Sequence, residues 1–386
     1  MQERRSANDR GRPGRAVALA LVLTIVVGGP PPRAAASDPP TESAYAPTAD
    51  LVGAAMAPVE ASEAPIRTWA SPIGPVSYTP GRGLRVGDTG LTLGGSSNLI
   101  LFRDEGREAH LHLDDLSLFV IWEPISRVRL FSELEYEDVF DIDTEGRSES
   151  PDEAATVERL YLDLGVSDRV NLRTGIFLTP VGRWNQIHAA PLVWTTSRPL
   201  TTELPFDPNV TGAMIWGSVF PSGGTLTYTF YDQFAGPIEG NPSFHPADHS
   251  AGARLQYDAD RGWSVGTSYL AALRNGDWNH LGGLDFLWSR RPLEIMGEAI
   301  VEAGTGTAPQ WGFYVQPVLA VSTRLALVTR YEHFAAPGPP PQVNIMTFGL
   351  AFRLLPTVVL KTEYQVVDRH ADIAPAGFRA SIAALF

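Results

Sequence analysis

Two arginines, Arg183 and Arg198, share the stretch from 181 to 209 with Asn185, His188, Glu203 and Asp207. Guanidinium groups facing carboxylates across a narrow passage make an electrostatic filter. The same pairs can pin a loop to a wall, and residue types alone leave both uses open.

Other constellations are weaker. His110, His112 and Asp114 fall on one face of an extended segment, the spacing of a partial metal site. No third His is close in sequence, so a polar lining is the expectation, with no metal. Glu294, Glu298 and Glu302 repeat every four residues. On a strand they lie about 13 Å apart, too far for a glycosidase pair. Ser and His are scattered, and no Gly-x-Ser-x-Gly, phosphate loop or dinucleotide fingerprint occurs. With Cys 0, disulfides, thiolate metal sites and cysteine catalysis are excluded. No catalytic residue and no cofactor is expected. The net charge of −13 argues against a nucleic-acid partner.

The elements that would position these residues count in twos. Val128, Leu130, Leu134 and Tyr136 alternate with Arg129, Glu133, Glu135 and Glu137; only Phe131 and Ser132 break the pattern. Glu294, Glu298 and Glu302 alternate with aliphatic residues, and Lys361, Glu363 and Gln365 with Leu360, Thr362 and Tyr364. Period two is a strand with one polar and one apolar face. Sixteen such segments can be laid out: 88–102, 108–122, 127–138, 155–167, 169–180, 210–220, 224–235, 249–257, 262–273, 280–289, 292–303, 310–320, 324–335, 342–354, 357–367 and 376–386. A register break at Asp114-Asp115 reads as a bulge. Short connections alternate with mostly longer ones, as in an outer-membrane barrel. The expected fold is all-β: a transmembrane antiparallel barrel of about sixteen strands.

The two ends support that reading. Residues 1–15 carry five arginines, Ala16–Gly28 is a short apolar run, and Ala34-Ala35-Ala36 offers a small-residue exit. This pattern reads as a secretory signal peptide over 1–36, since the run is shorter than the about 20 residues of a membrane span. Residues 37–82, rich in Pro, Ala, Ser and Thr, read as a flexible periplasmic leader, and 83–386 as the barrel. Trp122, Tyr136, Trp288, Tyr331 and Tyr364 sit on apolar faces, as interface girdles require. The chain ends on Phe386 after alternating apolar residues, which resembles the terminal signal read by the outer-membrane assembly machinery.

In so wide a barrel the polar face lines water. Parity then assigns Arg129, Arg159, Arg173, Arg254, Arg330 and Lys361 to the lumen, with Arg353 and Arg379. Opposite them stand Glu133, Glu135, Glu137, Asp163, Asp285, Glu294, Glu298, Glu302, Glu332 and Glu363.

The stretch Arg173-Thr174-Gly175-Ile176-Phe177-Leu178-Thr179-Pro180-Val181-Gly182-Arg183-Trp184-Asn185, followed by Ser197-Arg198-Pro199-Leu200 and Gly212, resembles the phosphate-selective porin O and P family. The resemblance is local. It implies a sixteen-stranded barrel, often trimeric, whose third extracellular loop enters and narrows the lumen. It carries over Phe177, Pro180, Gly182, Asn185, Arg198 and Pro199 as the scaffold of that constriction. The longest connection, after the fifth strand, is the third outer loop in the layout above.

The charges depart from the family. Lys occurs once in the chain, and lumen acids at least equal lumen bases. Weak or cation-biased selectivity is expected, with anion selectivity surviving only if Arg183 and Arg198 dominate the narrowest point. The functional expectation is a porin for small hydrophilic solutes or ions in a Gram-negative outer membrane, a homotrimer in contact with lipid and lipopolysaccharide. A barrel enzyme such as a lipid hydrolase would need a Ser/His pair on the outer rim. A soluble β-rich binding protein would extract without detergent.

Overall fold

The computed structural model describes residues 67–143, 148–149, 155–187, 189–236, 247–305, 307–338, 341–369, 373–374 and 376–386. The expected signal peptide, residues 37–66 of the expected leader, and His188 lie outside them.

Sixteen antiparallel strands form a closed barrel: β1 Leu91–Asp104, β2 Ala109–Ile125, β3 Val128–Asp143, β4 Thr156–Gly165, β5 Asn171–Leu178, β6 Asn209–Val219, β7 Gly224–Ala235, β8 His249–Ala259, β9 Trp263–Arg274, β10 Asp277–Arg290, β11 Leu293–Gly304, β12 Thr307–Ala320, β13 Leu325–Ala335, β14 Gln342–Leu355, β15 Val358–Val367 and β16 Gly377–Leu385. Each pairs with its neighbours, and β16 returns to β1 from Gly377↔Asp104 to Leu385↔Ser96. Phe386 extends that seam: it exchanges two backbone hydrogen bonds with Gly95, at 2.8 and 2.9 Å.

The alternation in sequence becomes an alternation in exposure. Thr347 is 0% exposed and its neighbour Phe348 is 52% exposed. Leu284, Phe230, Val301 and Leu350 likewise face outward, whereas Glu133, Arg254, Glu298 and Lys361 are buried inside. A large apolar exterior around a polar interior is the arrangement a lipid solvent selects. Trp122, Trp288, Tyr331 and Tyr364 are exposed on the outer face, with Tyr136 half-buried.

Three details modify the sequence layout. The expected bulge is present: Asn98 pairs with Asp115 and Leu99 with Leu113, so Asp114 is the extra residue. A second bulge lies where Glu133 opposes Arg159 but Leu134 opposes Val157, which leaves Glu158 buried beside Arg159. Upstream of β1, Arg67–Trp69, Val76–Thr79 and Gly83–Val86 form a meander that pairs with Leu91–Leu93 of β1. It takes the ladder positions below the end of β16 that would otherwise stay open. Ordered structure therefore reaches back to Arg67, into the stretch assigned to the leader.

Candidate functional site

The connection from β5 to β6 turns into the barrel. Its neck is tied by backbone and side chain: Thr179 N–H donates to Pro208 O at 2.7 Å, and Asn185 Nδ2 donates to both Thr179 O (2.9 Å) and Pro208 O (3.0 Å). Asn185 thus joins the two ends of the loop. Asp207 accepts from Ala247 N–H at 3.0 Å, which fixes the neck to the loop before β8. Phe177, Val181, Leu200 and Phe206 are buried with Leu281, Ile300, Phe334 and Val343 in one apolar cluster inside the barrel. Each such side chain contributes about 1.5–3 kcal/mol by leaving water.

Inside the neck the loop has almost no regular structure: short 3-10 turns at Trp184–Gln186 and Ala190–Leu192, and one helical turn at Leu200–Glu203. Its peptide groups need partners at membrane depth. The wall supplies them. Glu298 on β11 accepts from Arg183 N–H (3.0 Å), Trp184 N–H (2.6 Å) and Tyr314 O–H (3.0 Å). Glu294 accepts from the Trp194 indole at 2.7 Å. Glu363 on β15 accepts from Thr196 and Ser197 N–H, each at 2.9 Å. Glu332 on β13 accepts from Leu200 N–H at 3.0 Å, the free amide at the start of the helical turn behind Pro199.

The cations complement them. Lys361 Nζ donates to Ala190 O and Thr195 O at 3.0 Å, and Arg330 donates to Thr195 Oγ1, Ser197 O and Ser197 Oγ at 2.7–2.9 Å. Arg254 and Arg183 share Asp285, at 2.5 and 3.6 Å, and Arg183 also reaches Ser264 Oγ. Wall carboxylates thus receive loop N–H groups, and wall cations cover loop carbonyls. Glu294, Glu298, Arg254, Arg330, Lys361 and Glu363 do face the lumen, but they are buried under the loop rather than bathed in open water. Of the two uses of Arg183, the structure displays pinning.

The charges of the opposite wall pair with one another. Arg159 pairs with Glu133, and Arg173 pairs with Asp163 at 2.7 and 2.9 Å. The two guanidiniums lie over Phe131 (4.8 Å) and Tyr161 (3.7 Å), whose rings stack at 5.2 Å. Nearer the short turns, Arg129 pairs with Glu123 at 2.8 Å. The turn Ala190–Leu192 lies against β1 and β16. The remaining side of the loop faces β2 to β5, where Phe131 and Tyr161 join the apolar cluster that holds Val181 and Leu200. Arg198 is half-buried there, Glu203 is exposed, and Arg198 acts electrostatically on both Glu203 and Asp114 of β2. Desolvation by surrounding protein holds the Glu203 carboxyl above the ordinary carboxylate range, against the pull of Arg198. Glu135 is buried on β3.

Several residues of this site were not legible as such. Tyr314, Ser264 and Ser268, whose Oγ accepts from Gly182 N–H at 3.2 Å, carry no charge pattern, and Phe131 reads in sequence as a break. His110 pairs with Asp141 at 2.9 Å, and among the described residues no group of three or more His, Cys, Asp or Glu is placed to hold a metal.

No family model matches the chain. A curated relative, an uncharacterized protein of Aquifex aeolicus (strain VF5), is 22% identical and covers 77% of this chain and 80% of its own length. Solved structures with the same fold include OmpF of Salmonella typhi in complex with daunomycin (8% identity, 78% of this chain and 98% of that one, TM-score 0.57). An anion-selective porin from Comamonas acidovorans aligns at 12% identity over 77% of this chain and 99% of that one, TM-score 0.54. OmpT, an outer membrane protein of Vibrio cholerae, aligns in its trimer form at 10% identity over 77% and 99%, TM-score 0.52. The architecture is that of an outer-membrane barrel of Gram-negative bacteria.

Proposed function

We propose that the protein is an outer-membrane porin, a passive channel for small hydrophilic solutes or ions narrowed by its inward loop. The observation that carries this reading is the loop itself. An irregular segment is held at membrane depth by at least four wall carboxylates and two wall cations, while Arg198 and Glu203 stay accessible on its free side. A fixed constriction with a charged, solvated edge sieves by width and charge and performs no bond chemistry.

The local resemblance to the phosphate-selective porin O and P family belongs to this proposal, as do homotrimeric assembly and recognition of Phe386 by the assembly machinery. Most lumen charges are committed to the loop or to one another, so selectivity is set at the free edge of the loop. Arg198 and Glu203 are of opposite sign, so weak selectivity is expected. Planar-bilayer recording of the purified protein tests the reading: discrete, voltage-stable conductance steps support it, and an electrically silent barrel refutes it.

A further inference from the structure

Beneath the loop, toward the short turns, the lumen face changes character. A cavity of about 250 Å³ has an apolar wall of Trp194, Val318, Ala326 and Val359, with the Glu294 carboxylate and Ser289 also on its lining. Val318, Ala326 and Val359 are buried, and Trp194 packs on the first two. The Trp194 indole N–H is committed to Glu294, which fixes the ring as the ceiling of the cavity.

The mouth of this cavity is basic. Arg291, Arg324 and Arg353 lie on its border. Arg353 faces inward between the outward-facing Phe352 and Leu354, and is half-buried. The charge that acts on it is that of Arg291, another cation. Among the described residues no carboxylate pairs with the Arg353 side chain. A partly desolvated guanidinium at the edge of an apolar cavity, facing a second one, lacks an anion. Apolar pockets with one or two placed polar groups are the usual form of a small-molecule site.

We infer that this vestibule binds a small amphiphilic anion: a ring-sized apolar body under Trp194 and a carboxylate on Arg353, entering from the short-turn side. Size agrees, since about 150 Å³ already accepts benzene and this cavity is larger by enough for a short acidic arm. Arg291 and Arg324 add a positive potential at the entrance that draws anions and repels cations. The site needs no ion flow through the barrel. Its occupancy is measured as equilibrium binding, so failure of the site and failure of the porin reading are separate results.

The test is isothermal titration of the full protein in lipid nanodiscs, which avoids detergent as a competing amphiphile. Phenylacetate is the probe, with phenylacetamide as its uncharged counterpart and acetate as the head alone. Phenylacetate is expected to bind saturably, and the other two at least about tenfold more weakly. Arg353→Gln is expected to weaken phenylacetate by about tenfold and to leave phenylacetamide unchanged. Trp194→Phe is expected to remove the phenylacetate-induced change in tryptophan fluorescence. No saturable binding, or phenylacetamide binding as tightly as phenylacetate, overturns the assignment. The wild-type comparison of the three probes stands even if Arg353→Gln fails to fold.

Discussion

Glu298 fills the space that a side chain on Gly182 would need. A Cβ built on Gly182 falls 2.1 Å from Glu298 Oε2, and Gly182 holds φ at +64°, a conformation that L side chains rarely adopt. The absence of a side chain lets the carboxylate reach the amides of Arg183 and Trp184 and begin the loop's descent. A lumen glutamate that reads as pore lining is in this way a receptor for the backbone of the loop.

Gly182→Ala is expected to cost about 1–3 kcal/mol in the loop's seating, from strain at positive φ and displacement of Glu298. The barrel should stay closed, since its ladders do not involve this contact. Single-channel records should show new, noisy substates, while the far-ultraviolet circular dichroism stays that of the parent. A quiet parental conductance would mean the first turn of the loop is not held by Glu298.

Glu363→Gln keeps the shape but offers one acceptor where Thr196 and Ser197 present two N–H donors. A buried donor left without a partner costs about 1–3 kcal/mol. Limited chymotrypsin digestion should read this, because the Trp194–Thr195 bond directly precedes Thr196. Chymotryptic cleavage after Trp194 is expected to speed up by about tenfold or more at a temperature where strand ladders remain intact.

Alternation set strand number and facing, because period two is a local property that any ten residues display. It placed β7 at 224–235, where the structure has Gly224–Ala235, and located the Asp114 bulge. It fell short where elements are too brief to alternate, as at Arg67–Trp69 and Val76–Thr79, and where β3 runs on to Asp143. Parity also says which way Glu298 or Lys361 points, but not what covers it. The partners of those two side chains, Trp184 and Thr195, lie 114 and 166 residues away in the chain. Charge alternation alone cannot distinguish a wet wall from one that grips a loop.

Selectivity should depend on pH through Glu203. Its carboxyl is held above the ordinary range, so as pH falls it loses its negative charge earlier than a free glutamate would. The reversal potential under a potassium chloride gradient is expected to move toward anion preference as pH falls, beginning above the range in which a free glutamate titrates. Glu203→Gln should show the anion-shifted value at high and low pH alike, and Arg198→Ala should shift toward cations at both. A wild-type potential that does not change with pH would place Glu203 away from the ion path.

Deleting 186–204 separates the loop's two effects, on width and on charge. The deletion removes the amides, carbonyls, hydroxyl and indole N–H that cover Glu294, Glu332, Glu363, Arg330 and Lys361. Three carboxylates and two cations would then face water. Conductance should rise by at least about twofold, as the constriction opens, and the channel should become more cation-selective, because wall charges set the sign. The barrel's closure rests on interstrand ladders that the deletion leaves in place, so the variant should still fold, at lower thermal stability. A wider channel with unchanged selectivity would mean that wall cations neutralise the uncovered glutamates, as Arg330 already does for Glu332 at 2.6 Å. Unchanged width would place the constriction elsewhere in the lumen.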